Sequence, residues 1–213
     1  MPHVVAGVPI PDSAIARAAD ATVHASEPEI LYRHSMRVFV FASIIGRRRA
    51  LAFDAELLFV AALFHDVGLC VPYRRSPNRF EVDGANAVQA FLATFGVPPD
   101  DVAEVWRAVA LHTAFGINAF MAPLTALTAA GVETDLFGQH FDEVSRAERD
   151  AVLREWPRGA RFKEGVIDAF AEGMGYRPAT TFGSVNADVL ERCDPNYRRI
   201  NFCGLILGSN WKE

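Results

Sequence analysis

A chain of 213 residues, 51% apolar and 22% charged, can bury about 70% of its unfolded surface around one core, which excludes a disordered chain and removes any need for disulfides. The net charge of −5 and sequence pI near 5.7 supply no general field for a polyanion, so nucleic acid is not expected as a partner. Three cysteines, Cys70, Cys193 and Cys203, form no CxxC pair and read as reduced thiols of a cytoplasmic protein.

Met1 to Asp20 contains no basic region followed by an apolar run, so no secretory signal is expected, and the longest apolar stretch, Leu57 to Phe64, is too short to span a bilayer. Pro11-Asp12-Ser13 opens an Ala-rich helix to about His24. Ser26 with Glu29 spells a capping box with Pro28 in the first turn, predicting a long helix to about Arg49. Asp54 can cap the next helix, which is apolar nearly all round as a central helix must be, and Gly68 stops it just past His65-Asp66.

Cys70 to Phe80, with two prolines and three arginines, reads as a loop, after which Asp83 is expected to cap a helix from Gly84 to Phe95. Asp100 or Asp101 starts another helix, ending at His112. Pro123 to Phe137 is helical in pattern but interrupted by Gly131. Ser145 with Glu148 is a second capping box, for a helix to Trp156, and Phe162 to Met174 forms a further helix. Asn196 to Glu213 has no period and is expected to pack as an irregular strap. Alternating strand patterns are nearly absent, so the fold class is all-α, and without repeats or linkers residues 1–213 read as a single domain.

The chemistry is carried by His34, His65 and Asp66, with a further carboxylate downstream. Imidazole and carboxylate together suit one divalent transition metal, Zn, Fe, Mn, Co or Ni. His65 and Asp66 sit about 100° apart on a regular helix, so they converge only if the helix ends there, as Gly68 suggests. An ionised Asp66 straight after an apolar run is costly to bury without a cation or donor. The competing reading is a hydrogen-bonded structural histidine beside a chance His-Asp dipeptide.

Tyr32-Arg33-His34-Ser35-Met36-Arg37-Val38 and Leu63-Phe64-His65-Asp66-Val67-Gly68 resemble the two amino-terminal signatures of the HD-domain superfamily of metal-dependent hydrolases. The resemblance covers about residues 28–140 as a helical metal-binding core, leaving 141–213 as a helical extension. It implies metal ligands His34, His65 and Asp66, with Asp135 in Glu133-Thr134-Asp135-Leu136-Phe137-Gly138 as the last. Glu133 and Asp142 are its neighbouring competitors. Arg79 to Ala85 and the placement of His112 resemble the cyanamide-hydratase-like branch.

His112 is the one histidine between His-Asp and Asp135, which favours a mononuclear site and leaves it as a proton carrier or electrostatic stabiliser, or as a structural residue. Glu81 is a candidate acid-base residue. Arg74, Arg79 and Thr113 are candidates for gripping substrate, Arg74 and Arg79 through bidentate bonds to an anion. The expected activity is hydrolysis of a small molecule, a phosphoester among the candidates, by metal-activated water. Cyanamide-type hydration and a non-catalytic binding module are the alternatives, and a homodimer is expected only on base rates.

Overall fold

A computed structural model describes residues 3–210; residues 1–2 and 211–213, the extreme ends of the amino-terminal stretch and of the tail, lie outside the described residues. The architecture is all-α. Helices α1 (Ala14–Ser26), α2 (Glu29–Arg48), α3 (Ala55–Phe64), α4 (Phe80–Ala93), α5 (Pro99–Ala110) and α6 (Pro123–Phe137) enclose one large apolar cluster. They are followed by α7 (Arg146–Glu155), α8 (Phe162–Met174), α9 (Asn186–Cys193) and α10 (Phe202–Leu207). A two-residue antiparallel pair, β1 (Val4–Val5) and β2 (Val8–Pro9), precedes them, a feature the sequence patterns do not signal. No helix among the described residues is long and apolar enough to cross a membrane.

Local chemistry explains several boundaries. Ser13 accepts from Ala16 N at 3.0 Å, and Asp54 accepts from Glu56 N and Leu57 N at 2.8 and 2.9 Å, each such cap contributing about 1 kcal/mol. Ser145 and Glu148 form the expected reciprocal capping box. Ser26 and Glu29 do not: Ser26 Oγ bonds back to Thr22 O as the last residue of α1, and Pro28 stands at the N-cap of α2 without a side-chain bond.

Other expectations need correction. Gly131 does not interrupt α6, which is continuous; a Cβ there would overlap Val38 O, so glycine lets α6 lie directly against α2. Pro98, not Asp100 or Asp101, precedes α5. The tail carries the short helix α10, exposed along its length, rather than a packed strap.

Asp83 is not a cap either. Helix α4 begins three residues earlier, and Asp83 turns inward to meet Arg177, whose Nη1 donates to Asp83 Oδ2 at 2.5 Å. Arg177 also donates to Gly173 O at 3.1 Å, and to Gly68 O. A buried guanidinium thus fastens the segment after α8 to the turn that follows His65-Asp66. Around that joint lies a second apolar cluster of Leu31, Leu69, Phe80, Phe162, Val166, Phe170, Met174 and Leu190, which joins α8 and α9 to α2 and α4.

Candidate metal centre

Helix α3 runs through the core and stops where its apolar run, Leu57 to Phe64, ends. His65 is its C-cap residue, with φ −61° and ψ −34°, and Asp66 follows at φ −103° and ψ −1° before a 3-10 turn over Val67–Leu69. Leaving the helix here brings the two side chains together, and His65 Nε2 lies 3.2 Å from Asp66 Oδ2. Gly68 holds that turn against the start of α4, since a Cβ would overlap Phe80 O.

Two more imidazoles reach the same carboxylate. His34, from the first half of α2, places Nε2 4.0 Å from Asp66 Oδ2, and His112, in the turn after α5, places Nε2 3.7 Å from Asp66 Oδ1. All four residues are buried. Each ring is oriented from its far edge: His65 Nδ1 faces Ala62 O at 2.7 Å, His112 Nδ1 faces Val109 O at 2.6 Å, and His34 Nδ1 faces Asp135 Oδ2 at 2.6 Å. Donation from Nδ1–H leaves the Nε2 lone pair of every ring directed inward, the tautomer a metal ligand requires.

The inward atoms have no partner. His34 Nε2, His65 Nε2, His112 Nε2, Asp66 Oδ1 and Asp66 Oδ2 are buried without a hydrogen bond among the described residues. Leaving such groups unsatisfied costs about 1–3 kcal/mol each, which a cation at their centre would relieve. One ligand atom from each of His34, His65 and Asp66 lies within 4.8 Å of the others. The donor set therefore fits a divalent transition metal.

Electrostatics agree with that fit at His34, His112 and Asp66, whereas at His65 burial is outweighed by the adjoining Asp66 charge, which raises the ring above its ordinary value. Burial holds His34 below its ordinary value against the pull of Asp135, and burial together with His65 lowers His112 to about 4, so both rings are neutral near pH 7. Burial pushes Asp66 up, but His65 outweighs it and lowers it to about 2.

The HD-domain family model matches residues 31–153, more than half of the 213. The chain belongs to the HD-domain family. Its members are in general metal-dependent hydrolases. No curated protein matches the chain. The matched span runs from α2 into α7 and contains His34, His65, Asp66 and His112, while α8 and α9 lie beyond it.

Asp135, the expected last ligand, is not brought into the group. It lies behind His34, where Arg37 Nε donates to Oδ1 and Arg37 Nη2 to Oδ2, each at 2.8 Å. The guanidinium fork and His34 Nδ1–H occupy both oxygens. Its competitors are no nearer: Glu133 pairs with His140 at 3.1 Å, and Asp142 is exposed.

The HD centre opens into a cavity of about 430 Å³. His34, His65, Asp66, His112 and Thr113 line its polar end. Phe162, Val166 and Phe170 of α8, spaced four residues apart on one helical face, also line it with Val185 and Val189, and the Phe162 ring lies 6.3 Å from that of His34.

Three of the other expected site residues do not line this cavity. Arg74 is taken up by Glu172, and Arg79 donates to Glu81 Oε1 at 2.8 Å. Glu81 is buried, and its Oε1 also accepts from Thr113 Oγ1 at 2.6 Å and from Asn186 Nδ2 at 3.4 Å, fastening the His112 turn and α9 to α4. Burial raises the Glu81 carboxyl, but Arg79, His112 and Thr113 prevail and keep it ionised, which suits an anchor better than a general acid.

The cations at the cavity are Arg158 and Lys163, which sequence reading missed. Arg158 lies 4.2 Å from the centre of the Phe162 ring and 3.8 Å from Asp135 Oδ1, beside His34. The four-residue spacing of Phe162, Val166 and Phe170 marked an apolar stripe, but nothing in it named the metal centre as its neighbour.

Proposed function

We propose that this HD domain is a metal-dependent hydrolase of a small molecule, and that the bond it cleaves is a phosphoester. The observation that carries the reading is the set of five buried, unpartnered atoms of His34, His65, His112 and Asp66 at the foot of a cavity. Those residues would hold the cation, with Asp135 and Arg37 positioning His34 from behind. A divalent ion there supplies Lewis acidity and lowers the pKa of water toward neutrality.

The rest is done by the chain itself. Phe162, Val166 and Phe170 exclude bulk water from the polar end, which strengthens every charge interaction there. Arg158 is positioned to take the negative charge of a transferring phosphoryl group, the role assigned in the sequence to Arg74 and Arg79. His112, with its Nε2 turned to Asp66, is read as a donor to the cation rather than as a proton carrier.

A second reading, hydration of a nitrile-type group, draws support from the apolar character of the walls. Cyanamide has so few atoms that most of a 430 Å³ cavity would stay unfilled, so such a substrate would need an additional apolar body. The test is to strip the protein with a chelator, restore Zn, Mn, Fe, Co and Ni singly, and assay p-nitrophenyl phosphate and cyanamide. Metal-dependent release of p-nitrophenol is expected. A fully loaded protein that leaves the phosphoester intact and hydrates cyanamide would replace the first reading by the second, and one inert to both would leave a binding module.

A further inference from the structure

Much of the apolar lining of the cavity comes from outside the matched HD region, and its chemistry differs from that of the donors. Phe162, Val166 and Phe170 present one apolar face of α8, extended by Val189 of α9. Of the polar groups at the cavity, Thr113 gives its hydroxyl proton to Glu81, Asp188 accepts from Arg199 at 2.5 Å, and the imidazoles and Asp66 face one another. A nucleobase or sugar would therefore lose its hydrogen bonds to water on entry and regain few, which is costly. A polyphosphate would need more than Arg158 and Lys163 to balance its charge.

The wall is also fixed in place. Arg177, just after α8, is bound to Asp83 and to Gly68 O, two residues beyond Asp66, and Asn186 at the start of α9 is bound to Glu81. The distance between the apolar wall and the metal donors is thus set by buried bonds rather than by a mobile loop. A ligand that fills the cavity meets mostly apolar side chains, and an anionic group on it would meet the cation Arg158, which is stacked on Phe162 and lies 3.8 Å from Asp135 Oδ1.

We propose that the substrate is a phosphomonoester of an apolar aryl or alkyl alcohol, its body seated on α8 and α9 and its phosphate held between Arg158 and the metal donors. This rests on the phosphoester reading above. In the reaction, water oxygen bonds to phosphorus, the bond from phosphorus to the alcohol oxygen breaks, and that oxygen takes up the proton lost by water. The products are the free alcohol and inorganic phosphate.

The test is a series of ethyl, butyl, hexyl, phenyl and 1-naphthyl phosphates, with adenosine 5′-monophosphate as the polar comparison, assayed on the metal-loaded protein by phosphate release. kcat/KM should rise about fourfold with each methylene the wall covers. Val189→Asn should lower the ratio of hexyl to ethyl phosphate turnover about tenfold or more while metal content stays at one per chain. Turnover that is flat across the series, or best with adenosine 5′-monophosphate, overturns the apolar substrate and leaves the phosphoester reading standing. Loaded protein that cleaves none of the esters overturns both.

Discussion

Asp135 Oδ2 lies 2.6 Å from His34 Nδ1, the ring nitrogen turned away from Asp66, and the same carboxylate is gripped by both arms of the Arg37 guanidinium. An aspartate in that position would act on a metal centre through His34. Asp135→Asn should keep about one metal per chain yet weaken its binding about 10–100-fold. Leaving Arg37 buried without its counter-charge should also cost about 3–5 kcal/mol of stability. Competition titration and urea unfolding of the metal-free protein measure the two effects.

His112 separates differently. If its Nε2 is a donor, His112→Ala should lower affinity by more than about 100-fold, beyond the range of an outer partner, and should change the visible absorption of the cobalt-loaded protein. An unchanged cobalt spectrum would make His112 a structural residue.

Glu27 is a buried carboxyl outside the donor group, with Oε1 unpartnered and Oε2 only 3.5 Å from Ser35 Oγ. Burial, reinforced by Asp66, raises it well above its ordinary value of 4.5. The folded state then holds this proton more tightly than the unfolded chain, so its contribution to stability falls as pH rises from 4.5 through the raised folded value. Glu27→Gln should stabilise the protein at about pH 8, with the gain shrinking to nothing as pH is lowered to 4.5. Denaturant unfolding of wild type and variant at both ends of that range checks the sign.

Arg177 joins the segment after α8 to Asp83 and to the turn after the His-Asp pair. Arg177→Met should cost about 3–5 kcal/mol, because it leaves Asp83 charged and buried. Asp83→Asn paired with Arg177→Met should recover part of that loss, measurable by a double-mutant cycle.

Much of this was legible in the chain. Ser13, Asp54 and the Ser145–Glu148 pair mark real helix starts, and Gly68 correctly places the end of α3 at His65-Asp66. Ser26 and Glu29 spell the same box as Ser145 and Glu148, but Ser26 belongs to the preceding helix and spends its hydroxyl on Thr22 O. The order of histidines and aspartates gives the types of donor available, not which edge of a ring each carboxylate meets. That distinction separates Asp66 from Asp135, and it depends on Arg37, a residue of the motif with no expected role of its own. The cavity wall was hidden for a different reason: Arg158, Phe162 and Phe170 lie more than a hundred residues from His34, and a helical stripe does not reveal what it faces.

The most direct test is elemental analysis of protein purified without added metal, alongside His65→Ala, with folding checked by circular dichroism. A centre built from His34, His65, Asp66 and His112 predicts about one transition-metal ion per chain in the wild type and almost none in the folded variant. A folded wild type that carries no metal and takes up none from Zn, Mn, Fe, Co or Ni would contradict it.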